Sequence, residues 1–185
     1  MSIIKPHEIT LQENGIILRP LADEHLPLLY KWNADPEVLY WCEGDDVQEN
    51  DPETVNDIYS GVSQNAFCFL IETDGIPVGE CWLQEMNVKD IAAKHPGKDV
   101  RRIDMMIGEK SHWNRGIGTT LIKMLTNFAF NNQQTDIIYA IVSDYNPRSR
   151  RVFEKNGFKI FWRGATDSAS VKAKEDFHLV LMRDS

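Results

Sequence analysis

A chain of 185 residues that is 42% hydrophobic and 26% charged has the length and apolar content of one domain with a full core. Its longest apolar run, AFCFLI at Ala66 to Ile71, is far too short to span a bilayer, and the opening MSIIKPHEIT has no apolar signal core, so a cytoplasmic protein with no membrane partner is expected. The net charge of -8 hides a division: Trp32 to Val88 holds thirteen acidic residues and no Lys, Arg or His, whereas from Lys89 onward seventeen Lys and Arg outnumber eleven Asp and Glu, with no basic stripe and interleaved aromatics to suggest nucleic acid.

In chain order, IILRPL at Ile16 to Leu21 reads as a first strand, and Leu26, Leu29, Tyr30 and Trp32 follow at near-helical spacing, with Pro27 in the first turn. A second helix starts at Asp51 as N-cap, with Pro52 and Glu53 behind it, and between the two helices an acidic, aromatic loop, YWCEGDDVQEN, is expected. AFCFLIET and IPVGECWLQ form a hairpin joined at Asp74-Gly75, and Lys89 to Asp99 read as a loop broken by Pro96 and Gly97. RRIDMMIGE is a strand candidate that runs straight into SHWNRGIGTTLIKML. There Arg115, Gly116 and Gly118 precede an apolar helix face of Ile117, Leu121, Ile122, Leu125 and Phe128. DIIYAIVS is a buried strand, NPRSRRVFEKNGF a short helix from Pro147 to a stop at Gly157, and FKIFWR with DFHLVLM a closing pair of strands. No repeat or linker interrupts the chain, so residues 1–185 are expected to form a single α/β (α+β) domain, a mixed and mostly antiparallel sheet flanked by helices.

A glycine turn that opens a helix leaves backbone N–H groups unpaired, and without Cβ atoms an anionic group can approach them closely. A Walker A loop would need a Lys followed by Ser or Thr after the last Gly, and the dinucleotide fingerprint is incomplete because Leu121 stands where its third Gly belongs. His7, His25, His95, His112 and His178 are scattered, so no metal site is expected. Cys42, Cys68 and Cys81 lie outside any C-x-x-C pair and read as buried, reduced thiols.

Two patterns remain, Trp113-Asn114-Arg115-Gly116-Ile117-Gly118, and, about thirty residues on, Asn146, Ser149, Phe153, Glu154, Lys155, Gly157 and Phe158. In this order and separation the chain resembles the GNAT superfamily of acyl-CoA-dependent N-acetyltransferases from Ile16 to about Met182. The resemblance implies that the turn from Trp113 through Thr119 cradles the pyrophosphate of coenzyme A, with a helix dipole worth about 0.3 to 1 kcal/mol behind it. Trp113 stands where the family has Gln or Arg. The resemblance also places Asn146 on the pantetheine arm, with Ser149 and Phe153 behind it, although Asn146 is equally a plain N-cap before Pro147. Backbone N–H groups near Met106 and Ile107 would hold the oxyanion if the strand bulges there. Many relatives carry a Tyr at Phe153; Tyr145 is then the substitute donor for the leaving sulfur.

Within the superfamily the run from Arg101 to Ile122 looks most like the aminoglycoside 6'-N-acetyltransferases, in which an Asp at the position of Asp104 lies near the reacting amine. Strand alternation puts Asp104 and Met106 on one face and Ile103, Met105 and Ile107 on the other, so a carboxylate interrupts an apolar element and needs a partner. That partner is a cationic amine or, alternatively, Arg101, Arg102 or a backbone N–H. A polycationic acceptor suits the acidic half, with Tyr40 and Trp41 stacking on sugar rings and Glu43, Asp45, Asp46, Glu80 and Glu85 meeting ammonium groups at about 0.2 to 1 kcal/mol each. The alternative for these acids is a solvated surface. His112 is a second candidate base. Peptide N-termini or a siderophore hydroxylysine are alternative acceptors, an acyl-CoA sensor without turnover is a further alternative, and the chain is a monomer or a homodimer.

Overall fold

The computed structural model describes residues 2–44, 49–166 and 173–183. A short hairpin comes first, β1 (Leu11–Glu13) and β2 (Ile16–Pro20). Its Asn14-Gly15 turn takes positive φ at both residues, 50° and 78°, as two-residue hairpins require. The sequence reading passed over β1, although Asn-Gly before an apolar run is the strongest hairpin signal there is. Three helices follow, α1 (Leu26–Asn33), α2 (Pro36–Cys42) and α3 (Pro52–Val62). α2 corrects the expected loop: Tyr40, Trp41 and Cys42 are helical. Asp35 caps α2 by accepting from the N–H groups of Glu37 and Val38, the same Asp-Pro signature that starts α3, where Asp51 accepts from Thr54 at 2.8 Å.

β3 (Ala66–Thr73) and β4 (Ile76–Glu85) form the expected hairpin, with Asp74 and Gly75 both at positive φ. The segment read as a loop after Lys89 begins with a one-turn helix, α4 (Lys89–Ala92). β5 (Val100–Ile107) does not enter the glycine turn directly; a 3-10 turn at Lys110–His112 intervenes before α5 (Ile117–Asn132). β6 (Ile137–Ser143), α6 (Pro147–Lys155), β7 (Lys159–Ala165) and β8 (Glu175–Met182) complete the chain. The strands make one eight-stranded sheet in the order β1-β2-β3-β4-β5-β6-β8-β7. Every pairing is antiparallel except β5 with β6.

Helices cover both faces. α5 buries Leu121, Ile122, Leu125 and Phe128 against Leu18, Phe69, Leu83 and Ile103, and each such side chain contributes about 1.5 to 3 kcal/mol. On the other face Leu29, Trp32, Val38, Val55 and Tyr59 pack on Leu70 and Met106. β5 divides as its alternation predicts, Ile103, Met105 and Ile107 toward α5 and Met106 toward α1 to α3.

Two features of β5 position the site. Its parallel pairing with β6 covers only Val100 to Arg102, opposite Ile137 to Tyr139, after which the strands part although both continue. Its antiparallel pairing with β4 runs in unbroken register from Gly79↔Ile107 to Glu85↔Arg101, so the bulge implied by the resemblance is not present. Close approach fixes this edge: a Cβ on Gly79 would lie 2.1 Å from the Met106 carbonyl oxygen, and one on Gly108 would lie 2.1 Å from the Trp32 ring.

Candidate active site

Where β5 and β6 part, two cavities meet. The first, about 410 Å³, is walled by Met105 to Ile107, His112 to Thr119 and α6; the second, about 460 Å³, by Glu43, Tyr59, Glu80, Trp82, Arg102 to Met106, Tyr145 and Phe153. Trp41, Cys42, Met105, Met106, Asn146 and Ser149 line both, so a group in one can reach a group in the other.

The first cavity suits a polyphosphate. Gly116 is the N-cap of α5 at φ 80°, with no side-chain cap and open space where a Cβ would project. The first N–H groups of α5 therefore face the cavity without a partner in the helix. A Cβ on Gly118 would meet only ordinary contacts at 3.5 Å, so packing does not demand glycine there. Four cations line the cavity, Arg115 on the turn and Arg148, Arg151 and Lys155 on α6. The last three were missed in the sequence, yet their spacing is that of one helix face.

Trp113 donates its indole Nε1–H to the Ile107 carbonyl at 2.7 Å, tying the turn to the end of β5. The Arg148 guanidinium lies 5.1 Å from the Trp113 ring centre and 5.3 Å from that of Trp41, a cation held between two aromatic faces. Asn146 caps α6 by accepting from the Ser149 N–H at 3.0 Å, and its amide donates to the Trp41 carbonyl at 2.8 Å, joining α6 to α2 across the cavities.

Strand alternation sorts the oxyanion candidates. Met86 N–H donates to the Val100 carbonyl, so Val100, Arg102, Asp104 and Met106 direct their backbone groups toward β4. Ile107 directs its own toward the parting with β6, where its carbonyl accepts from Trp113. Of the expected pair, Ile107 presents an N–H to the site and Met106 contributes its side chain.

The second cavity is acidic. Asp104 Oδ2 accepts from Gln84 Nε2 at 2.6 Å and from Arg102 Nε at 2.8 Å, so Arg102 is the partner that the sequence reading held as the alternative to an amine. Glu80, only 5% exposed, stands on the same face of the sheet. Burial and then the charge of Asp104 hold its carboxyl well above the usual range, while Tyr59 and Trp82 work in the opposite direction. Glu43 has an exposed surface but faces the concave wall, where desolvation and Asp104 raise it too. Cys42 is exposed, correcting the expectation of three buried thiols. Protein nonetheless crowds it, and desolvation with the charges of Glu80 and Glu43 pushes the thiol up to about 12, so it stays protonated. Tyr145 and Phe153 line this cavity, and the Tyr145 ring centre is 6.0 Å from that of Tyr40.

Glu85 is not part of this site. It is exposed at the end of β4 opposite Arg101, on the other face from Glu80, because it lies five positions, an odd step, further along the strand. His112 lies beside the phosphate turn rather than in the acidic cavity. Asp45 and Asp46 lie outside the described residues. Among those described, no cluster of His, Cys, Asp and Glu could hold a metal, and no helix is long and apolar enough to cross a membrane.

Comparison with known proteins agrees with this fold. Residues 16–159 match the family model described as an acetyltransferase (GNAT) domain. The aminoglycoside N(6')-acetyltransferase type 1 of Klebsiella pneumoniae is 23% identical over 172 residues, covering 86% of this chain and 81% of that protein. The aminoglycoside acetyltransferase AAC(6')-Ib solved with coenzyme A and kanamycin superposes with a TM-score of 0.71 at 22% identity, over 91% of this chain and 95% of that one. A spermidine N-acetyltransferase from Vibrio cholerae, solved with CoA and spermine, reaches 0.74 at 17% identity, over 92% and 96%.

Proposed function

The chain belongs to the GNAT acetyltransferase family, with acetyl-CoA as its cofactor, and from that premise we propose that it acetylates a primary amine of a cationic small molecule, specifically the 6'-amine of an aminoglycoside. The observation that carries the proposal is the junction of a cation-lined cavity at a helix N-terminus with a carboxylate-lined cavity, through a wall shared by Met105, Met106 and Asn146. The distant aminoglycoside and polyamine relatives support the same class of acceptor.

Acetyl-CoA supplies an activated acyl thioester, and the residues of the first cavity fit it. The N–H groups at the start of α5, with Arg115, Arg148, Arg151 and Lys155, hold its phosphates through charge-assisted hydrogen bonds. The Ile107 N–H stabilises the oxygen that becomes negative when the amine attacks, and removing one donor of this kind typically costs about 2.7 to 4 kcal/mol. Asp104, oriented by Gln84 and Arg102, faces the incoming ammonium and takes its proton directly or through water. Phe153 has no hydroxyl, so Tyr145 is the group assigned to the leaving sulfur. A thiol pKa near 8.5 lets the thiolate leave with little help in any case.

The test is thiol release from acetyl-CoA by the purified protein, offered kanamycin, a 6'-hydroxyl analogue, spermidine and an N-terminal peptide. Turnover with kanamycin and not with the hydroxyl analogue is the expected result. Turnover confined to spermidine or to the peptide would transfer the acceptor cavity to those substrates. Asp104→Asn should lower turnover by roughly 10² to 10⁴ while acetyl-CoA still binds; unchanged turnover would remove Asp104 from the chemistry.

A further inference from the structure

Among the described residues, the acceptor cavity sets three carboxyl groups, Glu43, Glu80 and Asp104, against one guanidinium, Arg102. Arg102 is already committed, to Asp104 at 2.8 Å and to Asn87 at 3.1 Å. Among the described residues neither Glu43 nor Glu80 forms an ion pair. Glu80 is the more unusual of the two, because it is only 5% exposed and its carboxyl, in a wall of the cavity, has only the neutral Tyr59 and Trp82 near it as donors, with no well-formed hydrogen bond to Oε2 and no cation. Trp82 Nε1, two residues along on the same face, likewise lacks a well-formed bond, and donation from Trp82 and Tyr59 still leaves the carboxylate without a counter-cation. A buried acid in this state costs stability, and a Gln of the same shape would fill the space without that cost.

We propose that Glu80 anchors a second ammonium group of the acceptor, so that the protein selects di- and polycations over monoamines. This deepens the proposed amine acetylation and rests on it. Glu80 pairs across the sheet with Met106 and Trp82 pairs with Asp104, which makes Glu80 and Asp104 diagonal neighbours on one face. Side chains in that relation stand roughly 7 Å apart at their roots, and this is the spacing the acceptor's two nitrogens have to bridge.

Proton linkage distinguishes this anchor from a merely acidic wall. The groups facing Glu80 are Asp104 and Arg102 from β5, Glu43 and Cys42 from the end of α2, Tyr59 from α3 and Cys68 from β3. Cys42, Cys68 and Tyr59 are all raised and remain neutral, so they supply no compensating charge. Burial and the charge of Asp104 therefore favour the protonated form of Glu80 in the cavity, and an arriving ammonium favours its ionised form. Binding of a polycation releases a proton, and its affinity rises with pH by up to about ten-fold per unit while Glu80 is protonated.

The experiment is titration calorimetry on the full protein saturated with coenzyme A, at pH 7, in two buffers of different protonation heat. The probes are kanamycin, spermidine and the monoamine 6-amino-6-deoxyglucose. Proton release with the two polycations and not with the monoamine is expected, and Glu80→Gln should abolish it and weaken the polycations about ten-fold or more. Buffer-independent heats in the wild type, or release that persists in Glu80→Gln, would overturn the anchor. Glu43 is raised by similar causes, so Glu43→Gln is the control. It keeps the release if Glu80 is the source and loses it if Glu43 is, and it decides the matter even if Glu80→Gln does not fold. Proton-linked binding without acetylation would sink the aminoglycoside reaction and keep the anchor, whereas acetylation without linked protons would do the reverse.

Discussion

The two cavities are built by opposite means. The first draws on the backbone: a left-handed Gly116, the open end of α5 and one cationic face of α6, most of it contiguous in sequence. The second draws on side chains from α2, α3, β4 and β5, which meet only because the sheet and three helices fold around them. A backbone site needs few identities and tolerates distant relatives; a side-chain site changes its acceptor when single residues change. The difference accounts for a family that is plain at 23% identity while the acceptor requires experiment.

The variant with the largest expected effect breaks both cavities at once. A Cβ on Gly79 would lie 2.1 Å from the Met106 carbonyl oxygen and 2.9 Å from the Ile107 Cα, and neither backbone atom can retreat without opening the β4–β5 ladder. Gly79→Val should cost about 3 kcal/mol, lowering the melting temperature by roughly 6 to 12 °C. Because β5 is the common wall, acetyl-CoA and acceptor affinities should fall together. Loss of one alone would show that the cavities do not share a rigid strand.

Gly116→Val separates them instead. The strain of a branched residue at positive φ, about 1 to 2 kcal/mol, adds to a side chain placed where a phosphate has to approach, so acetyl-CoA binding should weaken about 100-fold. Polycation binding, read by calorimetry, should change little. Equal losses on both sides would mean that the acceptor cavity forms only once the cofactor is seated.

What could be read from the sequence follows the same division. The turn, the α5 face and the 146–158 segment are local patterns; the structure places the turn, the start of α5 and residues of α6 along one cavity and buries the rest of the α5 face in the core. The cationic α6 face is equally local: Arg148, Arg151 and Lys155 share it by helical spacing, whereas the family pattern includes only Lys155 of the three. The Asp35-Pro36 cap of α2 was overlooked although Asp51-Pro52 was recognised, and so Trp41 was assigned to a loop. Glu80 and Glu85 could not be told apart until the register was known, because which acids face a cavity depends on the pairing of β4 with β5 and on what covers each face. The hold of Arg102 and Gln84 on Asp104 is likewise a product of register, visible in the sequence only as one of several alternatives.

Stability gives the next, smaller contrast. Glu80 is raised by burial and by Asp104, so below the usual carboxylate range it is protonated in both folded and unfolded chains and contributes no pH dependence. As the pH rises through that range the unfolded chain ionises first, and stability falls until the folded carboxyl ionises too. Glu80→Gln should therefore raise the melting temperature at pH 7, each kcal/mol recovered being worth about 2 to 4 °C, with the gain shrinking toward pH 4. A variant that is more stable yet binds polycations less well is the mark of a residue kept for function. A gain that is the same at every pH would instead point to packing.

The smallest expected effect lies at Asn146, where the cavities are tied together. Its Oδ1 accepts from the Ser149 N–H and its Nδ2 donates to the Trp41 carbonyl, so one side chain both starts α6 and holds the end of α2. Asn146→Asp keeps the acceptor and loses the donor. A carboxylate caps at least as well and favours the helix dipole, so stability should stay within about 0.5 kcal/mol of wild type. The lost bond, worth about 1 kcal/mol, should instead appear as a roughly three- to five-fold rise in acceptor KM, because Trp41 and Glu43 hang from the released end of α2. Asn146→Ala loses both bonds and should add about 1 kcal/mol of destabilisation to the same rise in KM. If acetyl-CoA affinity rather than acceptor KM changes in Asn146→Asp, the side chain serves the pantetheine arm, and the bond to Trp41 is incidental to how the two cavities are joined.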